Sequence, residues 1–269
     1  MGAEASKPQA GAKVQVIGAG LSRTGTASFC AALEILLKGP VYHGGTQCAV
    51  SADEIHIKTW MHVLARTPYK SPTDKQFVLD KIRERTTGYV ATADTPLAQF
   101  VPELLELYPD AKVICTVRDP DAWAKSIHQT SAASLQAFLG VLVYWVPCFR
   151  HFPRYVTLLA DGRYGELYLE PGESQEVLRG RAVWERHIEY LRKVVPKEKL
   201  FFVDIRDGWA PLCMALGIDV PAGVEFPRIN DGKAIERLAK EQIQKGLTRW
   251  AIVLGGLTAV VAMSWQFLW

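Results

Sequence analysis

The 269 residues are enough for one α/β domain with a sizeable core. Hydrophobic residues make up 49% and charged residues 22%, the balance of an ordinary globular chain. Lys and Arg exceed Asp and Glu by only 31 − 28 = 3, with no basic run interleaved with aromatics, which argues against nucleic-acid binding and leaves any anion to a local site.

Met1 to Ala12 is small and polar, and is expected to be a flexible N-terminal segment without the apolar core of a signal peptide. Its first six residues, MGAEAS, match the N-myristoylation pattern at Gly2. Lys13 to Gly18 (KVQVIG) predicts a buried first strand ending on glycine, and Thr26 to Leu37 follows with helical periodicity. Val41 to His43 predicts a second strand, Lys75 to Arg85 an amphipathic helix, Tyr89 to Ala93 a strand, and Pro96 to Tyr108 a helix. Lys112 to Val117 (KVICTV) is the clearest central strand, nearly continuous in apolar and β-branched residues as parallel strands are. Arg118-Asp119-Pro120 ends it, and a helix runs on through Ile127. Leu135 to Trp145 is a long apolar stretch, followed by an aromatic region to Tyr155 that reads as a lid, a substrate wall or plain packing. Ser174 to Val194 predicts a helix, Leu200 to Val203 a strand and Gly208 to Leu216 a further helix. The alternation implies a central parallel sheet with helices on both faces, over residues 13–245.

Residues 246–269 are expected to form a C-terminal membrane anchor. The twenty residues from Trp250 to Trp269 carry no charge, and a helix of that length spans roughly 30 Å, the thickness of a bilayer core. Trp250, Trp265 and Trp269 lie near its ends, where indoles prefer the interface. Lys240, Lys245 and Arg249 precede it, so the positive-inside tendency keeps the larger domain cytosolic, the pattern of a tail-anchored protein. The alternative is a buried helix of the core. Cys30, Cys48, Cys115, Cys148 and Cys213 are odd in number and widely spaced, which supports neither a disulfide framework nor a zinc site.

After the first strand comes Gly18-Ala19-Gly20-Leu21-Ser22-Arg23-Thr24-Gly25-Thr26-Ala27-Ser28. Glycines let a backbone approach an anion, a following helix offers free N–H groups, Thr24, Thr26 and Ser28 add hydroxyls, and Arg23 adds a permanent charge. A Rossmann fingerprint fails because Arg23 stands where its third glycine belongs, and no acid follows in Val41-Tyr42-His43. A Walker A motif fails because Thr26 stands at the lysine position. What remains is a basic residue before a [ST]-G-T core, here Arg23-Thr24-Gly25-Thr26, or an ordinary βα turn.

With this loop the chain resembles the sulfotransferase family, in its fungal-type branch with an RTGT loop. The resemblance runs from about Val14 to Asp231. It implies a P-loop NTPase-like fold and use of PAPS (3′-phosphoadenosine 5′-phosphosulfate), releasing PAP (3′-phosphoadenosine 5′-phosphate). The loop from Arg23 to Ser28 would hold the 5′-phosphosulfate. Arg118, with Ser126 eight residues later, matches the family's 3′-phosphate site. Asp207 to Cys213 and Phe226 to Asp231 look like two further segments of the branch, with Arg228 closing over the nucleotide. Where cytosolic members carry a catalytic histidine in T-H-L-P, this chain has Asp94 in Thr92-Ala93-Asp94-Thr95-Pro96. A carboxylate there can take the acceptor's proton, or Asp94 can cap the helix at Pro96, which would turn attention to His43 or His128 as the base.

The expected activity is sulfuryl transfer to a hydroxyl of a small hydrophobic acceptor, with Arg23 and Asp94 catalytic. No metal is required, and the six histidines show no ligand spacing. Arginine where many members have lysine, and Asp94 where they have histidine, keep two alternatives open: a repurposed, PAPS-independent lyase, hydrolase or cyclase of a biosynthetic pathway, and a non-catalytic nucleotide-binding scaffold at the membrane.

Overall fold

The computed structural model describes residues 5–51, 53–134, 137–229 and 231–268. Gly2, Leu135, Asn230 and Trp269 of the readings above lie outside the described residues. In chain order the elements are β1 (Val16–Gly18), α1 (Thr26–Leu37), β2 (Val41–His43), α2 (Gly44–Val50), α3 (Ile55–Leu64) and α4 (Pro72–Thr86). Next come β3 (Ala91–Ala93), α5 (Val101–Leu107), β4 (Lys112–Val117), α6 (Pro120–Ser134), α7 (Ala137–Leu142), α8 (Phe152–Asp161) and α9 (Arg163–Tyr168). The chain finishes with α10 (Arg181–Val194), β5 (Leu200–Asp204), α11 (Trp209–Leu216) and α12 (Asp231–Leu268).

The five strands form one parallel sheet in the order β2-β3-β1-β4-β5, with Ile17 of β1 opposite Thr92 of β3 and Val113 of β4. Both faces are covered. Val16, Ala91, Ile114 and Val203 pack against Phe29 and Leu33 of α1 and Leu212 of α11. Their sequence neighbours Ile17 and Val113 turn to the other face, with Cys115, against Trp60 of α3, Leu104 of α5 and Leu191 of α10. That two-sided burial is why the strands read as continuous apolar runs. Each such large side chain, fully withdrawn from water, contributes about 2–3 kcal/mol.

The strand order decides where a ligand can enter. From β1 the chain crosses to one side of the sheet, and from β4 it crosses to the other. The loops leaving the carboxyl ends of these neighbouring strands therefore part company and leave a crevice between them.

The structure differs from the sequence reading in a few places. Helices α2 and α3 fill a stretch for which no element is predicted; α2 begins with two glycines, the poorest helix formers after proline. The helix expected from Pro96 to Tyr108 divides into a short 3₁₀ turn, Leu97–Gln99, and α5, because Pro102 in the first turn of α5 restarts the helix. The helix expected from Ser174 to Val194 divides at Gly180, whose extended backbone separates a 3₁₀ turn, Gln175–Arg179, from α10. The apolar and aromatic stretch becomes α7, a 3₁₀ turn at Phe149–His151, and α8.

Helix α12 runs without a break across the expected domain boundary at residues 245 and 246. Its segment Glu236–Trp265 is long and apolar enough to cross a membrane. Beyond Trp250 its apolar side chains, among them Ile252, Leu257 and Val261, are largely exposed rather than packed into a core.

Candidate functional site

The β1–α1 loop is fastened at three points before it reaches its arginine. His187 of α10 donates from Nε2 to the Ala19 carbonyl at 2.7 Å and accepts the Tyr168 hydroxyl at Nδ1, 2.6 Å away. Burial holds its pKa down to about 4, so the ring is neutral and one nitrogen is free to accept. The fully buried Trp123 of α6 donates its indole N–H to the Ser22 carbonyl at 2.9 Å. A Cβ at Gly20 would lie 1.9 Å from the Thr116 hydroxyl, so only glycine lets the loop pass this close to β4.

Beyond this point the backbone is strained. Arg23 (φ 74°) and Asp94 (φ 70°) both occupy the left-handed region, at a cost on the order of 1–2 kcal/mol each for a side chain with a Cβ. Gly25 (φ 87°) is in the same region without that penalty. Non-glycine residues held in this region at the carboxyl edge of a sheet are a mark of a functional site.

The polar groups of that edge are bonded to one another. Asp94 is buried; its Oδ1 accepts the Ser22 hydroxyl at 2.5 Å and its Oδ2 accepts the Gly45 N–H at 3.2 Å. His43, at the end of β2, lies 3.5 Å from the same Oδ2. The His43 Nδ1 accepts the Thr46 N–H at 3.2 Å, which leaves the proton on Nε2, 3.0 Å from the Thr26 hydroxyl. The carboxylate thus ties the β1–α1 loop to the start of α2, while the Pro96 turn has no side-chain cap.

On the other side of the loop, Arg23 Nε donates to the Ser126 hydroxyl at 3.1 Å, and Arg118 donates to the Arg23 carbonyl at 3.0 Å. Asp119, next to Arg118, accepts the Ala122 N–H at 2.8 Å and so caps α6. The structure brings Arg23, Arg118 and Ser126 together, with the Ser126 hydroxyl bonded to Arg23 rather than to Arg118. Arg23 Nη1 is buried and has no hydrogen-bond partner among the described residues.

The three loop hydroxyls are all engaged within the protein. Thr24 bonds to the Leu21 carbonyl at 2.7 Å and to the Thr116 hydroxyl, Thr26 bonds to His43, and Ser28 accepts the Ile229 N–H at 2.8 Å. Ala27 lies in the first turn of α1, after Gly25. Arg228 is exposed and donates to the Arg206 carbonyl at 3.3 Å, so the segment after α11 closes on α1 through Ile229 and on the β5 end through Arg228.

Sequence reasoning missed Ser22, Trp123 and His187, and held His43 only as an alternative base, beside His128, without its place next to Asp94. A histidine at the end of a three-residue strand carries no motif. Its signal is positional, since β2 lies beside β3 and delivers His43 to Asp94, and that adjacency is visible only once the strand order is known.

A cavity of about 310 Å³ opens beside Arg23 and Ser126, between α6, α7, the start of α8 and α12. Among the described residues no cluster of His, Cys, Asp or Glu could hold a metal ion. Among the described residues no two cysteines form a disulfide, and all five are buried.

A family model described as a sulfotransferase domain matches residues 15–235. The "Ava biosynthesis cluster protein M" of Aspergillus versicolor is 29% identical over 272 residues, covering 94% of this chain and 96% of that protein. A crystal structure of a sulfotransferase from Alicyclobacillus acidocaldarius is similar at a TM-score of 0.40 and 14% identity, covering 91% of this chain and 96% of that one.

Proposed function

The chain belongs to the sulfotransferase family, and from that premise we propose that it transfers the sulfuryl group of PAPS to a hydroxyl of a small hydrophobic acceptor at a membrane surface. The observation that carries this reading is the buried Arg23 Nη1, an unused donor of a permanent cation on a residue whose backbone is strained. A donor of that kind fits an anionic oxygen. PAPS supplies an activated sulfuryl group and a good leaving group, PAP.

The residues divide the work as follows. Arg23 and the backbone from Gly25 to Ser28, at the N-terminus of α1, hold the 5′ end of the nucleotide and offset negative charge on its leaving oxygen. Arg118 and Ser126 hold the 3′-phosphate, and Arg228 closes over the nucleotide. Asp94 takes the acceptor's proton as the new O–S bond forms and the bond to PAP breaks. His43, held by Thr26 and Thr46, fixes the direction from which Asp94 is approached. The scheme uses positioning and charge, as phosphoryl transfer does, with no metal. Residues 246–269 anchor the 13–245 domain to the cytosolic side of a membrane, with N-myristoylation at Gly2 as a second attachment. The relative's name, a biosynthesis cluster protein, supports an acceptor from small-molecule biosynthesis.

A second reading is a PAPS-independent enzyme on the same fold. It is favoured by the engagement of all three loop hydroxyls with protein partners. Calorimetric titration of PAP into the folded protein separates the two. Binding that requires Arg118 supports sulfuryl transfer; no binding to a folded chain removes it and leaves the second reading.

A further inference from the structure

The cavity beside Arg23 has two kinds of lining. Near its floor are polar groups: Arg23, Ser126, and Gln129 and Thr130 of α6. Its sides are mostly apolar, with Leu139 and Val143 from the α7 segment, Phe152 from α8, and Ala239 and Ile243 from α12. The last contribution is unexpected, because α12 is also the helix that carries the candidate membrane span.

Helix α12 is fastened to the α7 segment just before that span. A Cβ at Gly246 would lie 2.4 Å from the Leu142 carbonyl, so the two backbones meet where only glycine permits it. One turn on, the Trp250 indole donates to the Val141 carbonyl at 2.9 Å, and Arg249 donates to the Trp145 carbonyl. The Trp145 and Trp250 rings meet edge to face at 5.8 Å. Carbonyls at a helix C-terminus have no partner within their own helix, and here side chains of α12 supply one. The wall is therefore built from two segments clamped together, and the second of them leads directly into the exposed apolar part of α12.

We propose that this cavity is the acceptor chamber, that the membrane-proximal part of α12 is one of its walls, and that it takes a small lipophilic hydroxyl compound. The chemistry rests on the sulfotransferase reading, which brings the sulfuryl donor to Arg23 at one end of the cavity; the apolar binding does not. A volume of about 310 Å³ is at the small end of ligand pockets, which run from about 300 to 1,000 Å³, and suits a compound of one or two rings. Leu139, Val143, Phe152 and Ile243 select for apolar surface, while Gln129 and Thr130 offer polar partners for a hydroxyl at one end.

The test uses the full chain in lipid nanodiscs and 2-naphthol as the probe, with its fluorescence as the readout and PAP affinity measured in parallel. Gly140→Leu fills the cavity from α7, where the nearest atom to an added Cβ is Pro153 Cγ at 3.6 Å, and Ile243→Trp fills it from α12. Each is expected to weaken 2-naphthol binding at least tenfold and to leave PAP affinity within twofold of the parent. Val261→Trp, on the exposed part of α12, is expected to change neither. Unchanged 2-naphthol affinity in both folded filling variants overturns the chamber, as does displacement of 2-naphthol by PAP. A parent that binds 2-naphthol in this pattern and fails to bind PAP overturns the donor reading and leaves the chamber standing. If one filling variant does not fold, the other, on a different helix, decides.

Discussion

The polar floor of the site, the network at the carboxyl edge of the sheet, and the apolar wall of the cavity beside it are held in different ways. On the floor, Ser22, His43, Asp94, Arg118 and Ser126 come from five separate segments, and each is joined to another group of the site or its loops by a hydrogen bond or close polar contact. On the wall, α7 and α12 meet through a few carbonyl bonds and one ring pair, and their outer faces, with Phe138 62% and Val141 65% exposed, point away from any core. A network in which each group orients the next tolerates little substitution. An apolar wall tolerates volume-conserving change and answers to size and shape. Chemistry and acceptor choice are therefore separable here, and substitutions on the two sides have different signatures.

The largest effect is expected at Asp94. An asparagine can accept the Gly45 N–H at Oδ1 and donate from Nδ2 to the Ser22 hydroxyl, which can turn to receive it, so the fold and PAP affinity stay. Without a base, kcat falls on the order of 10²–10⁴. A near-parental kcat in Asp94→Asn would move the proton acceptor to His43, 3.5 Å away. Next comes Arg118→Ala, which removes a cation from the proposed 3′-phosphate site. It is expected to weaken PAP by about 2–3 kcal/mol, or roughly 30- to 150-fold, with little change in kcat at saturating donor. Calorimetry on the folded variant checks it, and parental affinity would mean that Arg118 serves only to hold the Arg23 carbonyl.

The sequence made much of the floor readable and almost none of the wall. Arg23, Asp94, Arg118 and Ser126 sit at fixed offsets from strand ends, and strands buried on both faces announce themselves as apolar runs. The link between Arg23 and Ser126 was not readable, because the offset from Arg118 to Ser126 places both residues on one crevice without saying which side chain takes the hydroxyl. His43 needed the strand order. In the wall, apolar content fits a lid, a core helix and a membrane span equally well. The clue at Gly246 is a single glycine inside a helix, which has meaning only once Leu142 is seen against it. The uncharged run from Trp250 onward drew attention to itself and away from the preceding turns, where Ala239 and Ile243 face the cavity.

A smaller effect tests how rigidly the floor is set. His187 titrates near 4 in the folded protein, against about 6.5 for an exposed histidine. Between those values the unfolded chain binds the proton more readily, so stability is lost as pH falls from about 6.5 toward 4, by about 3 kcal/mol in all. His187→Gln, which has an amide to donate to the Ala19 carbonyl, is expected to lose this part of the pH dependence. Denaturant unfolding of parent and variant at pH 7 and pH 4.5 gives the comparison. Parallel pH profiles would mean that the imidazole does not report on the loop.

The smallest effect on the domain is expected from the largest deletion. The described side chains of residues 250–265 are mostly exposed, so removing residues 250–269 takes little buried apolar area from them. The bond from Trp250 to Val141 and the contact with Trp145 go with it, together worth about 1–3 kcal/mol, and both lie at the edge of the wall. The shortened chain should leave the membrane fraction, melt within a few degrees of the parent and keep its PAP affinity, because no group of the floor touches the deleted segment. Its 2-naphthol affinity should fall modestly, since Ile243 stays while the clamp on α7 loosens. A deletion that ends instead at residue 231 removes Ala239 and Ile243 as well, and should abolish 2-naphthol binding with PAP affinity unchanged. If the shorter deletion alone unfolds the chain, the distal part of α12 is a core helix whose cover lies elsewhere. The separation of floor from wall would then fail with it, since the anchor would be holding the fold.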